Sequence, residues 1–434
     1  MKKVRLAVCL VSVVALLSAC GGGGGGDNRA VPANSVEVRG RISDLANVSI
    51  QGARVVAIKA DGAVISSAVS DVAGQYVLSV PAVGGISGVP SLTLRVDAQD
   101  YQSVPGGVRP SKALDITASG QTGSGVPVIQ NASSDISLIS LPSGSRGSIA
   151  GTVTGDNRDG VLVVGGGSSA LSGPDGGFVL FNVTPGSVTV NGYAAGLQFT
   201  PATVTVTAGA QATGATLNPS GAATGSLSGS INLINTPVGA TTSIVLAVKG
   251  TFNDISESGE VPRGLRVQRV SGSFTISGVP QGEYLLLAAG ENDGLVRNPD
   301  PAIAGTQLVS VTVGTGSVTV PSAIQVIAAL NHPTPGQAGP EKITTTPTFT
   351  WDDVSGEDYY SVSVFDSFGA LVWEKPDVPK ITGAGSVSVT YGGSALSPGF
   401  YQFRATSWRT VGPTPISRTE EQRGQFYVCG ANCP

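Results

Sequence analysis

"SGPDGGFVLFNVTPG", residues 172 to 186, places a glycine-bearing turn before an aromatic residue and closes with a proline. Two other stretches follow the same plan, "SDVAGQYVLSVP" at 70 to 81 and "VSGSFTISGVPQG" at 270 to 282, with Tyr76, Phe178 and Phe274 as their aromatics. Glycine supplies the positive φ of a turn, the aromatic fills a sandwich core, and proline cannot continue a ladder, so the plan predicts a hairpin in each copy. A second landmark, aliphatic-x-Gly-x-aliphatic, opens each segment: "VRGRI" (38 to 42), "IAGTV" (149 to 153) and "LSGSI" (227 to 231). Recurrence of both landmarks marks repeated modules.

Between the landmarks the chain alternates with period 2, as in "TVTVT" (203 to 207), "VSVTV" (309 to 313), "YSVSVF" (360 to 365) and "SVSVTY" (386 to 391). One face is apolar and the other carries Ser or Thr, which predicts half-buried antiparallel strands, and no helical window follows the first twenty residues. Only 12% of the 434 residues are charged while 41% are hydrophobic and 61 are glycine, a balance that suits neither disorder nor helix. The expected fold class is all-β: tandem antiparallel β-sandwich modules, because a chain of this length exceeds one core.

The paired landmarks resemble the carboxypeptidase regulatory-like domain, a transthyretin-like β-sandwich of about seven strands common in bacterial surface proteins. The resemblance implies three such modules, 36–145, 146–220 (short) and 221–328, with insertions near 82–91 and 251–268. Residues 329–434 differ. "PTFTW" (347 to 351) and "YSVSVF" supply strands, and "LSPGFYQFRA" (396 to 405) resembles the L-x-P-G-x-Y corner of fibronectin type III and related immunoglobulin-like domains. That resemblance implies that Tyr401 packs inward with its hydroxyl on a backbone partner near the turn.

At the N-terminus Lys2, Lys3 and Arg5 precede an apolar run from Leu6 to Leu17, the plan of an export signal and too short to span a bilayer. "LSAC", Leu17 to Cys20, resembles the lipobox of bacterial lipoproteins. The resemblance implies cleavage after residue 19 and acylation of Cys20, hence a membrane partner reached through the lipid; an ordinary secretory signal with an incidental cysteine is the other reading. Residues 20–35, with Gly21 to Gly26, read as a tether spanning on the order of 20 Å. Glycine rather than aspartate after Cys20 favours the outer membrane, on the sorting rule of the bacteria where it applies. Removing residues 1–19 takes away three cations and leaves 22 Lys+Arg against 29 Asp+Glu, a net of −7, which excludes nucleic acid as a natural partner.

At the other end "CGANC" holds Cys429 and Cys433, expected to close a small disulfide loop worth about 2 kcal/mol in an oxidising compartment. His332, the one histidine, lies in "NHPTPG" and reads as a linker residue, so neither a two-histidine metal site nor a Ser-His-Asp triad is expected. "VVGGGSSALSG" (163 to 173) lacks the Lys-Ser/Thr of a phosphate loop and reads as a hairpin. Asp156 and Asp159 in "GDNRDG" and Asp254, Glu257 and Glu260 in "FNDISESGE" lack alternating calcium-loop spacing and read as solvated turn residues rather than a metal site. No catalytic, cofactor or metal set is expected.

The remaining candidate is in "YQFRATSWRTVG". Parity puts Tyr401, Phe403 and Ala405 in the core and Gln402, Arg404 and Thr406 in solvent, with Trp408 outward at the start of a loop beside Arg409. Either Trp408 and Arg409 form a surface for a glycan or an envelope protein, or the loop folds back and Trp408 packs on its own domain. Taken together, the sequence reads as a non-catalytic, lipid-anchored envelope protein whose sandwiches act as spacers and binding modules. A carbohydrate- or peptide-active hydrolase with a carboxylate site in the third module, or an accessory subunit of an envelope complex, are the alternatives.

The lipobox generates a direct test. Radiolabelled palmitate should label the wild type and fail to label Cys20→Ser, and that variant should leave the membrane fraction; equal labelling and retention of both would refute acylation at Cys20.

Overall fold

A computed structural model describes residues 34–289, 292–303, 305–382, 385–410 and 412–428; Cys20, Cys429 and Cys433 lie outside them. Strands dominate, and among the described residues the only helical pieces are two 3₁₀ turns, Gly85–Gly88 and Lys249–Thr251. No helix among the described residues is long and apolar enough to cross a membrane.

The two landmarks of each repeat meet across a ladder. Strand Ser35–Asp44 pairs antiparallel with Gln75–Pro81, which sets Gly40 opposite Tyr76. Strand Gly147–Val153 pairs with Gly177–Val183, setting Gly151 opposite Phe178, and Gly225–Ile234 pairs with Ser273–Val279, setting Gly229 opposite Phe274. Each ring lies over the glycine: a Cβ on Gly151 would stand 2.4 Å from Phe178 Cζ, and one on Gly229 would stand 2.8 Å from Phe274 Cζ. The three aromatics are buried, and the Tyr76 hydroxyl donates to Ser134 O at 2.6 Å.

On its other edge each landmark strand pairs in parallel: with Pro127–Ile129 and Ile136–Leu138 in the first repeat, Gln211–Ala222 in the second, and Ser317–Thr319 and Ile324–Ala328 in the third. The sandwiches are thus antiparallel as expected except at this edge, where the closing strands run in the same direction as the landmark strand. The facing sheets are antiparallel, centred on Arg54–Lys59, Leu162–Gly165 and Thr242–Val248, and the apolar side chains between the layers form the cores. The landmark turns are also not hairpins. Strands Val64–Val69 and Gln75–Pro81 belong to opposite sheets, so the turn at 71–74 is an arch across the sandwich, as are its counterparts. Gly74 (φ 74) and Gly176 (φ 85) take the positive φ there, whereas in the third copy Gly272 does not, and a positive φ falls instead on Arg269 (φ 57) within strand Arg266–Val270.

The fourth sandwich sets a six-stranded sheet, including Tyr359–Asp366, Leu371–Pro379 and Gly399–Arg409, against the pair Thr348–Asp352 and Ser386–Thr390. Phe349 and Phe403 stack in its core with centroids 4.7 Å apart. Tyr401 is buried and donates from its hydroxyl to Ser397 O at 2.8 Å, and Tyr284 makes the same four-residue reach to Pro280 O at 2.8 Å in the third sandwich.

The sandwiches are consecutive in sequence but do not form a simple string, and the 252–260 loop of the third one shows why. Arg95, in the first sandwich and 2% exposed, pairs with Asp97 at 2.9 Å, with Glu260 at 2.6 Å, and with Ser169 of the second sandwich at 3.0 Å. Three residues back along the loop, Glu257 receives both guanidinium nitrogens of Arg418, in the fourth sandwich, at 2.6 Å each, and Arg297 at 3.0 Å. Glu257 and Glu260 are thus ion-pair partners that join sandwiches, not the solvated turn residues expected. Burial drives the Glu257 carboxyl upward, but Arg418 and then Arg297 outweigh it and hold its pKa at about 2.

Two consequences can be measured. Gly151→Ala would put a methyl 2.2 Å from Ala215 O, so it should cost about 2–3 kcal/mol, while Gly250→Ala, with nothing within 4 Å, should stay within about 0.5 kcal/mol of wild type; equal melting points for the two variants would contradict the ring-over-glycine packing. Glu257 carries a depressed folded pKa, so its contribution is fully present above its ordinary value of 4.5 and is lost as pH falls through about 2. Glu257→Gln should therefore be less stable than wild type by about 3 kcal/mol at pH 7, with the gap closing toward pH 2; a gap constant from pH 7 to pH 2.5 would show that the carboxylate charge is not what Arg418 holds.

Candidate functional site

The outer face of the fourth sandwich carries a half-buried aromatic pair, Tyr359 and Trp408. Strand Gly399–Arg409 runs on through Trp408, so this tryptophan sits within a strand and not at the start of a loop. It lies directly across from Tyr359, the two rings near parallel at 8° with centroids 6.2 Å apart, and its indole Nε1–H donates to Ser361 Oγ at 2.8 Å. It packs on its own domain, yet it remains half-buried on the outer side, with one flank facing an open cleft of ≈ 340 Å³.

Parity in the adjoining strands decides what else lines that cleft. Val362 and Val364 are fully buried, so Tyr359, Ser361 and Ser363 turn outward, joined by Glu374 and Asp377 from strand Leu371–Pro379. Arg409 does not line the cleft: it is exposed and its Nε–H donates to Gly356 O at 3.3 Å. The cleft thus offers a flat aromatic pair, two hydroxyls and two carboxylates. Such a set can hold a polyhydroxylated ring, C–H face on the aromatics and hydroxyls on the carboxylates, and Trp408 is already ordered by Tyr359 and Ser361, which lowers the entropy lost on binding.

Farther along the same strand the solvent-facing expectation fails. Gln402 is fully buried, and its amide donates to Glu421 O and Arg423 O at 2.7 Å each. Arg404 is covered as well and donates to Gln402 Oε1 at 3.2 Å; burial lowers its pKa, offset by Glu257. The 419–424 segment and the Glu257 loop cover this half of the face, leaving open only the half near Trp408.

Other residues singled out by sequence are placed elsewhere. His332 is exposed and its Nδ1 lies 2.5 Å from Asp352 Oδ2. Asp159 pairs with Arg263 at 2.8 Å. Residues 163–173 contain a hairpin, Leu162–Gly165 with Ser168–Leu171, turning at Gly166 and Gly167 with φ 57 and 82. Among the described residues no group of three or more His, Cys, Asp or Glu is arranged to hold a metal.

No family model matches the chain. No curated protein matches it either. Solved structures similar to it include the major pilin subunit of Bacillus cereus (11% identity, TM-score 0.19, covering 67% of this chain and 99% of the pilin) and the minor pilin of Streptococcus agalactiae (14%, 0.19, 44% and 99%). A DUF3823 family protein from Bacteroides ovatus is similar at 8% identity and TM-score 0.20, over 46% of this chain and 98% of that protein. Likeness at these scores assigns no function to the chain.

Proposed function

We propose that the protein is a non-catalytic binding scaffold of the bacterial cell envelope, anchored to the outer membrane by lipid on Cys20, which presents the Trp408–Tyr359 face of its fourth sandwich to a glycan. The observation that carries the reading is the preset aromatic pair: two near-parallel rings on a rigid sheet, open to solvent on one flank and rimmed by Glu374 and Asp377. The anchor and tether read from residues 17–35 would hold this face off the lipid surface, and the interlocked sandwiches would keep it in one orientation. Arg409, on the neighbouring turn, would contribute only to a ligand large enough to reach beyond the cleft.

The test is retention of the full chain on insoluble polysaccharides, peptidoglycan and cellulose among them. Trp408→Ala should weaken retention at least tenfold on whichever matrix holds the wild type, with a stability loss of about 1 kcal/mol from the lost ring stacking. Unchanged retention would remove the cleft as the binding face, and a collapse of the melting transition would identify Trp408 as structural.

A further inference from the structure

A second cleft, of ≈ 490 Å³, lies between the first and fourth sandwiches and shares no lining residue with the Trp408 cleft. One wall carries Arg109, whose guanidinium lies over the Phe400 ring at 3.9 Å from its centroid and donates to Ser137 O at 2.8 Å. Among the described residues Arg109 has no carboxylate partner. Burial pushes its pKa down to about 9, the signature of a cation removed from water without a compensating anion. Lys112 stands beside it; burial lowers its pKa, and the charge of Arg109 lowers it further, with only Asp135 acting in the other direction. Its ammonium reaches backbone carbonyls alone, Ala132 O at 2.5 Å and Asp135 O at 3.2 Å.

Arg41 adds a third cation, satisfied by neutral groups: Asn47 O at 2.9 Å and Ser49 Oγ at 2.9 Å. Asp135 is the one carboxylate among the lining residues, and its Oδ1 already accepts the backbone N–H of Arg41 at 2.8 Å. Three cations therefore face one carboxylate in a partly desolvated space, in a chain whose total charge is −4. Like charges held close together with part of their water removed repel one another, and an anion that completed the site would offset that cost. Ser111 and Ser133 set hydroxyls at the rim, Ser43 and Ser137 lie buried beneath it with their hydroxyls 3.5 Å apart, and Tyr427 adds an aromatic wall. The volume suits one or two sugar rings.

We propose that this cleft binds an acidic sugar, its anionic group between Arg109 and Lys112 and its hydroxyls on the serine rim. The site is independent of the Trp408 face and needs both sandwiches, because Phe400 and Tyr427 come from the fourth and the cations from the first. Guanidinium and ammonium accept carboxylate and phosphate alike, so uronic acids and phosphorylated sugars are both candidate sources of the anion.

The experiment is calorimetric titration of the detergent-solubilised full chain with a galacturonic acid oligomer, mannose 6-phosphate, a neutral galactose oligomer and inorganic phosphate. Saturable binding of either acidic sugar, at least tenfold tighter than the neutral oligomer and than inorganic phosphate, is the expected result. Arg109→Gln and Lys112→Gln should each weaken it tenfold or more, while Lys249→Gln, which removes an exposed cation outside both clefts, should leave it within twofold. Lys112 lies at the exposed mouth of the cleft, so its variant carries the test if Arg109→Gln does not fold. Binding of neither acidic sugar, equal affinity for inorganic phosphate, indifference to Lys112→Gln, or an equal loss in Lys249→Gln would each overturn the proposal.

Discussion

The cross-strand pairing of a glycine with an aromatic ring is the contact on which the three repeated sandwiches depend. A glycine in a strand forfeits packing and conformational entropy, yet here the missing side chain is the space into which Tyr76, Phe178 or Phe274 lays its ring. The ring covers backbone that would otherwise be thinly packed, and the pair fixes register, since a slip of one residue would drive the aromatic into a Cβ and turn the strand's apolar set outward. With that register set, the remaining edge of the landmark strand is available to the parallel closing strand. In two repeats that strand's module brings a backbone carbonyl to the glycine as well: Ser134 O at Gly40 and Ala215 O at Gly151, each 2.2 Å from where a Cβ would stand. The glycine therefore accommodates neighbours on two sides at once.

The second constraint is the ion-paired loop of the third sandwich. Buried ion pairs seldom outperform apolar packing in net stability, because desolvation consumes much of the Coulombic gain, but an unpaired partner is costly. Separating the sandwiches would leave Arg95 with Asp97 alone and Glu257 with Arg297 alone, and would strip Glu260 and Arg418 of their partners across the junction. Alternative packings of the four units are disfavoured for that reason, whereas apolar surfaces alone would slide. The Tyr193–Tyr284 edge contact at 6.1 Å, and the sharing of Leu162 between the second sandwich's sheet and the third's core, tighten the same arrangement without directing it.

Sequence reading located the landmarks because both are local, and their chemistry, a glycine and an aromatic at fixed offsets, survives divergence between copies. It mistook the arch for a hairpin because a glycine turn looks the same whether the next strand pairs with its predecessor or crosses to the facing sheet. Parallel closure was hidden for a similar reason: alternation in "TLNPSGA" or "IQVIA" reports a half-buried strand and says nothing about the direction of its neighbour. Gln402 and Arg404 were misplaced because parity identifies the face away from a domain's own core, not whether another segment covers it. The same limit hid Tyr359, Ser361, Glu374 and Asp377 from the candidate site. They reach Trp408 only through the ladder between strands Tyr359–Asp366 and Gly399–Arg409, and the one available signal was the outward parity of "YSVSVF". The charges of "FNDISESGE" were visible, but their partners lie 165 and 161 residues away.

These constraints bear unequally on the two clefts. The Trp408 face lies within one sheet, so its geometry is set by strand register and survives any rearrangement of the sandwiches. The Arg109 cleft exists only where the first and fourth sandwiches meet, and the direct contacts there are few: Gln102 Nε2 donates to Ser367 O at 2.9 Å, and Arg109 rests on Phe400. What holds those two sandwiches in place is largely the third, which grips Arg95 with Glu260 and Arg418 with Glu257. A ligand that touched Phe400 and Tyr427 as well as Arg109 and Lys112 would bind only where the two sandwiches meet, and so would favour the packed arrangement over a separated one by linkage. Binding at the proposed cleft and packing of the first sandwich against the fourth would then be coupled, while the ion pairs of the third sandwich act on both from outside the cleft.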